Sequence, residues 1–283
     1  MVAGRWRSAV DIVAAMVHRT IRRGVDLLGR PLDAILARRG GRRRVVMLIY
    51  HRVGARTPSP VDLPIATFGA QLDLLAGSGR VVDLDTAVDV VHGDADPSSE
   101  EPMVVLTFDD GTSDWVDVVL PELVERALPA TFYVATDFVD RSVPFPHCGT
   151  PVSWSGLGEL AASGLATVGS HTHTHRVLAG ADASTAAAEV ARSVDRIEDR
   201  LGRACRHFAY PKAIAPSPAA ETVVRRRFRT AVLAGNRVND GASDLHRLGR
   251  HSLTRHDDLA MFGRKAAGGA RLEGVLRSIR DTW

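Results

Sequence analysis

Asp109 and Asp110 stand side by side ahead of Gly111, directly after the apolar run Val104–Phe108. Two adjacent carboxylates at a strand end repel each other when buried, and a cation beside them removes that cost. Neighbouring strand residues point to opposite sides, so the two aspartates are expected to do different work. Gly111 permits the sharp exit that keeps both near one place. Taken alone, the motif also fits a polar strand-to-helix turn with an Asp cap.

A second cluster, His171-Thr172-His173-Thr174-His175, follows the short run Ala166–Val168 and Gly169. Neutral imidazole is the commonest metal-binding side chain, and histidines two or four residues apart can converge on one ion. One carboxylate and two imidazoles leave coordination positions open for zinc, iron or another divalent metal. A third polar group, Tyr50-His51-Arg52, closes the run Arg44–Tyr50. His51 can exchange protons near neutral pH if it faces the same mouth; a surface-loop histidine is the alternative.

Groups this far apart in sequence need a scaffold that gathers strand ends. Arg44–Tyr50 is a continuous apolar run, as expected of a strand buried on both faces. Strand-like runs also cover Arg80–Leu84, Val104–Phe108, Thr131–Ala135, Ala166–Val168, His207–Tyr210, Thr230–Ala234 and Leu245–Leu253. Helical spacing marks Phe68–Leu75, Pro121–Leu128, Leu157–Ala162, Ala183–Leu201, Ala219–Phe228 and a C-terminal set at Leu272, Val275, Leu276 and Ile279. Gly93–Pro102 reads as a loop. Alternation at this spacing predicts a parallel α/β architecture. In a barrel or an open sheet, reactive groups collect at the carboxyl ends of the strands.

The chain has 283 residues, 45% hydrophobic and 24% charged, enough for a large core without disulfides. Cys148 and Cys205 have no metal-type spacing. The formal charge of +3 is unevenly spread: residues 1–44 hold eleven Arg against Asp11, Asp26 and Asp33, a net +8 that leaves −5 for the rest. The sequence pI of 9.2 is therefore no sign of a nucleic-acid-binding core. Within residues 1–44 the stretch Ala9–Val17 is too short to span a bilayer, is interrupted by Asp11, and lacks a cleavage pattern. It reads as a basic amphipathic helical extension, packed on the main domain or lying against an anionic membrane surface. Residues 45–283 are expected to form the main domain with its C-terminal helix.

Together these residues resemble the polysaccharide deacetylase family, also called NodB-homology or carbohydrate esterase family 4, over roughly residues 45–260. Thr107-Phe108-Asp109-Asp110-Gly111 is similar to its TFDDG motif, and His171 to His175 to its H-[ST]-x-x-H motif. Ala130–Val134, Ser153-Trp154 leading into Leu160–Gly164, and Phe208–Pro211 agree in order. The resemblance implies a distorted (β/α)7-type barrel, Asp110, His171 and His175 as metal ligands, and Asp109 as the base acting on the attacking water. His173 falls at a variable position and takes no role. Tyr50-His51-Arg52-Val53 is similar to the branch acting on poly-β-1,6-linked N-acetylglucosamine, in which a Tyr-His strand supplies the general acid. That assigns the acid to His51; in many other members a late histidine serves, and His251 is its counterpart here. Tyr210, Pro211 and Lys212 are implied in substrate binding. Lys212 and Ala213 stand where an aromatic residue and Gly are usual, a departure that bears on substrate identity.

The implied activity is removal of N-acetyl groups from an amino-sugar glycan or glycoside, with a divalent metal, Zn2+ foremost and Fe2+, Co2+ or Ni2+ as alternatives. An amide hydrolase acting on a non-sugar substrate and a non-catalytic carbohydrate-binding member are the competing readings. No nucleic-acid partner is expected. With no recognisable export signal, the expected location is the cytoplasm or the inner membrane face, with peripheral membrane contact through residues 1–44.

Overall fold

The computed structural model describes residues 43–94 and 101–270. The expected extension over residues 1–44, all but its last two residues, and the C-terminal helical set fall outside them.

Seven strands form one parallel sheet: β1 (Val45–Tyr50), β4 (Met103–Asp110), β5 (Ala130–Val134), β6 (Ala166–Ser170), β7 (His207–Ala209), β8 (Thr230–Val232) and β9 (His251–Ser252). Their order is β8-β7-β6-β5-β4-β1-β9, and β2 (Arg52–Val53) and β3 (Asp62–Leu63) make a separate short pair. Between them run α1 (Ile65–Ala76), α2 (Leu84–His92), α3 (Leu120–Glu125), α4 (Thr136–Arg141), α5 (Trp154–Ala162), α6 (Ala183–Leu201), α7 (Pro218–Arg227) and α8 (Leu259–Ala266). The sheet curls, and the gap between β8 and β9 is spanned by the segment before β9. Leu233 donates to Leu248 O at 2.8 Å on the β8 side, and His251 pairs with Leu48 on the β1 side. The result is the expected α/β fold, a distorted seven-stranded barrel.

Strand alternation sorts the core into two clusters. Leu48, Tyr50, Leu106, Phe108, Phe132, Val168 and Phe208 pack outward beneath the helices. Met47, Val105, Tyr133, Ala209 and Val232 pack inward against α2. Both sets are buried, which is why the strands read as unbroken apolar runs. Helix α6 matches its expected span: Asp182 accepts from Thr185 N at its start, and Gly202 ends it at φ 63°.

Two expected strands are corrected. Arg80–Leu84 contributes only a bridge from Val81 to Val104, because Asp83 caps a helix beginning at Leu84. That helix, α2, is valine-rich, but Leu84, Ala87, Val88 and Val91 share its buried face and Gly93 ends it at φ 92°. Leu245–Leu253 is regular only at His251–Ser252, since the segment changes partner from β8 to β1 partway along.

Candidate active site

The alternation that builds the core also aims the site. Ile49, Thr107, Tyr133 and Gly169 lie on the inner parity, and one step further along the same strands come His51, Asp109 and His171. Phe108 turns outward and stacks on Phe132 with ring centroids 4.8 Å apart, so Asp109 must turn inward. There it is buried, and Arg250 donates to both its oxygens, Nη1 to Oδ1 and Nη2 to Oδ2, each at 2.7 Å. Arg250 also reaches Thr107 Oγ1 at 3.0 Å and Leu233 O at 3.2 Å. Burial alone would raise the Asp109 pKa, but Arg250 first, then His171 and His51, bring it down to about 2. Asp109 is therefore ionised at any working pH, and His51 is near enough to influence it.

Asp110 breaks the parity. At φ 87°, followed by Gly111 at φ 117°, the chain turns its carboxylate toward the loop after β6. Such a φ is rare for a residue with a Cβ, and strain of this kind gathers at functional sites. In that loop Thr172 and His175 are also left-handed, at φ 64° and 60°. The turns bring Asp110 Oδ1 to 3.4 Å from His175 Nε2 and 3.8 Å from His171 Nε2, with all three ligand atoms within 4.8 Å of one another. His171 Nδ1 is taken by Ala209 O at 2.8 Å, which fixes the tautomer and presents Nε2 to the cluster. Burial lowers the His171 pKa to about 4 against the pull of Asp109, so the ring is neutral, the form that binds metals. One oxygen and two imidazole nitrogens, compact and correctly presented, fit a divalent cation such as zinc.

His173 turns away: its Nδ1 meets Thr136 Oγ1 at 2.9 Å and its Nε2 lies 3.7 Å from Asp137. His251 is fully buried on the outward parity, paired with Leu48, and its Nε2 meets Gly269 O at 3.1 Å, so it does not join Asp109 and Asp110. Beyond β7, Tyr210 is likewise outward, buried edge-on against Phe208 at 5.1 Å. Its side chain is thus withheld from the mouth. The tight turn that follows has a buried Pro211 and an exposed Lys212 at φ 56°. Arg250 is the residue that motif reading passed over in favour of its neighbour His251. Continuing the inward parity of Leu248 by two residues would have found it.

Residues 96–229 match the family model for polysaccharide deacetylase. That stretch is a polysaccharide deacetylase domain. Among solved structures, the deacetylase fold here is similar to the Streptococcus pyogenes deacetylase PplD in complex with acetate, at 18% identity and TM-score 0.70, covering 79% of this chain and 98% of that one. It is also similar to IcaB from Ammonifex degensii, at 26% identity and TM-score 0.67 over 79% and 97% of the two chains. A de-N-acetylase from Aggregatibacter actinomycetemcomitans aligns at 19% identity and TM-score 0.65 over 78% and 99%. No curated protein matches the sequence. The deacetylase domain supports a hydrolase of amide bonds.

Proposed function

We propose that this deacetylase removes N-acetyl groups from an amino-sugar glycan or glycoside, giving acetate and a free amine, with a divalent cation held by Asp110, His171 and His175. The observation that carries the reading is the juxtaposition at one mouth of that compact donor set with a separate, arginine-held carboxylate. The presence of acetate in one structural neighbour and the description of another as a de-N-acetylase support it.

When bound, the cation, zinc foremost by its donors, would polarise the acetyl carbonyl and offset the negative charge that forms on its oxygen. Asp109 accepts a proton from the water that adds to the carbonyl carbon. His51 donates a proton to the departing nitrogen as the carbon–nitrogen bond breaks. Arg250 keeps Asp109 ionised and fixed in direction. The turn at Pro211 and Lys212 lies at the carboxyl end of β7, where it can bound the substrate. We place the activity in the cytoplasm or at the inner membrane face, with residues 1–44 touching the membrane; cell fractionation of the full chain and of a chain lacking them tests this. Among the described residues no helix is long and apolar enough to cross a membrane.

The deciding experiment is acetate release from a panel of N-acetylated glycans and glycosides, with and without chelator. Chelator-sensitive acetate release supports the reading. Ammonia released from amides or cyclic imides, without acetate, would transfer the site to a non-sugar substrate. Glycan binding with no turnover would make the chain a non-catalytic member.

A further inference from the structure

Arg52 follows His51 directly, yet nothing in the proposed chemistry uses it. The residue is buried and has no carboxylate partner among the described residues. Its guanidinium instead donates to two backbone carbonyls of one loop, Nη2 to Pro146 O at 2.8 Å and Nη1 to His147 O at 3.4 Å, while its Nε has no partner. Burying a cation without a paired carboxylate is costly, and its bonds to the loop carbonyls are what offset that cost. The loop lies so close that a Cβ at Gly149 would be 2.5 Å from the guanidinium carbon.

That loop is a tight hook. Phe145 N donates to Gly149 O at 2.8 Å, and Phe145 is anchored by stacking on Phe138 at 4.1 Å. Its tip, His147 and Cys148, is exposed and left-handed at both residues, φ 58° and 59°. Two consecutive residues of this kind are strained without outside support. The chain after the hook returns along the segment leaving Asp110: Ser113 N donates to Thr150 O at 2.9 Å and Val152 N to Gly111 O at 2.8 Å. The hook is thus fastened on one side to the residue after His51 and on the other to the residues after Asp110.

We propose that Arg52 is a positioning residue that holds the hook Phe145–Gly149 as a lip of the mouth, and that the lip, through His147, contacts sugar residues flanking the one being deacetylated. The proposal rests on the deacetylase reading above and narrows its substrate to an oligomeric glycan.

Kinetics of Arg52→Ala on an N-acetylglucosamine oligomer and on a monomeric N-acetylglucosamine glycoside test it. The expected result is a several-fold higher KM for the oligomer, with kcat, metal content and monomer kinetics unchanged. His147→Ala, which alters only the tip, should raise the oligomer KM in the same direction. Arg52→Lys, which keeps charge but loses the fork, should fall between wild type and Arg52→Ala and serves if the alanine variant does not fold. Equal losses on both substrates, or none on either, overturn the proposal. Alkylation of Cys148, the exposed one of the two thiols, gives a readout free of turnover. Arg52→Ala should speed it, and the oligomer should slow it in the wild type. If the wild type releases no acetate from any glycan but Arg52→Ala still speeds alkylation, the functional reading fails and the structural role of Arg52 stands. If neither Arg52→Ala nor the oligomer alters alkylation, the lip assignment itself is wrong.

Discussion

Arg250 and Asp109 meet in a two-pronged pair, both oxygens of the carboxylate held at 2.7 Å by the two terminal nitrogens of a fully buried guanidinium. Replacing Arg250 with Gln leaves a carboxylate whose burial is no longer opposed. Leaving one partner of a buried pair alone costs about 3–5 kcal/mol. The variant is therefore expected to unfold at markedly lower urea concentration and to lose most of its turnover. What remains should show the acid limb of its pH–rate profile moved upward from the low value that Arg250 imposes. Arg250→Lys should not rescue it, because a single ammonium cannot span both oxygens. Unchanged stability in either variant would refute the pairing.

The proposed function gives the neighbouring carboxylate a different task, and substitution tests the division. Asp110→Ala and His175→Ala should each lose bound metal by elemental analysis, since each removes one of three donors lying within 4.8 Å of one another. Asp109→Asn should retain the metal and lose turnover. Metal retained in both Asp110→Ala and His175→Ala would show that the cation is held elsewhere.

Most of the scaffold was legible because its strands are long apolar runs and its best helix, Ala183–Leu201, is capped by Asp182 and amphipathic throughout. The site was legible where its residues lie next to one another, as Asp109 and Asp110 or His171 and His175 do. Arg250 was not, since no motif marks it; only strand parity does, two residues on from inward Leu248 and beside outward His251. The same rule explains Tyr210, whose place in a motif suggested a role at the mouth while strand parity turned it into the outer core. The helix Leu84–His92 escaped notice because valine favours strands. Packing on the concave face of the sheet outweighs that preference here.

Parity also separates the two candidate acids, His51 on the inward face and His251 on the outward one. His51→Ala should lower kcat by about 10²–10⁴-fold, the usual share of general acid catalysis, with metal content and melting temperature near wild type. His251→Ala should do the reverse: His251 is buried against Gly269 O, and losing that bond and its packing should cost about 1–3 kcal/mol while kcat is largely kept. Measuring kcat and Tm for both variants is sufficient, and a collapse of kcat in His251→Ala at unchanged Tm would reverse the assignment.

Acid sensitivity should trace in part to Asp85, at the start of α2. Its carboxylate faces His207 at 3.4 Å, Arg206 at 3.1 Å and Arg229, tying the helix to the beginnings of β7 and β8. The hydrogen bond to His207, then the charge on that ring and the neighbouring arginines, hold its pKa well below the ordinary range against partial burial. The unfolded chain, with Asp near 3.9, then binds more protons than the folded one below about pH 4. The contribution of Asp85 is therefore complete above that pH and is lost as pH falls toward its folded value. Asp85→Asn should be less stable at neutral pH, modestly so because the pair is partly exposed, and should lose less stability on acidification. Urea midpoints collected between pH 2.5 and 6 should converge for the two proteins at the acid end; parallel curves would exclude the linkage.

Gly169, two residues before His171, joins the core to the chemistry. A Cβ there would lie 2.7 Å from His207 O and 2.8 Å from the Tyr133 ring, one a backbone atom in a paired strand and the other a fully buried side chain. Neither can yield cheaply, so Gly169→Ala should cost about 1–3 kcal/mol as an overpacked core does. The ring also lies under Arg250, 5.5 Å from ring centre to guanidinium carbon, so any displacement is passed to the residue that holds Asp109. Turnover should therefore fall further than metal content. Gly158→Ala, in α5 with nothing within 4 Å of the added carbon, is the matched control. It should be neutral or stabilise by about 0.5–1 kcal/mol through helix propensity. Equal effects of the two substitutions would show that Tyr133 is not wedged between the strand and Arg250.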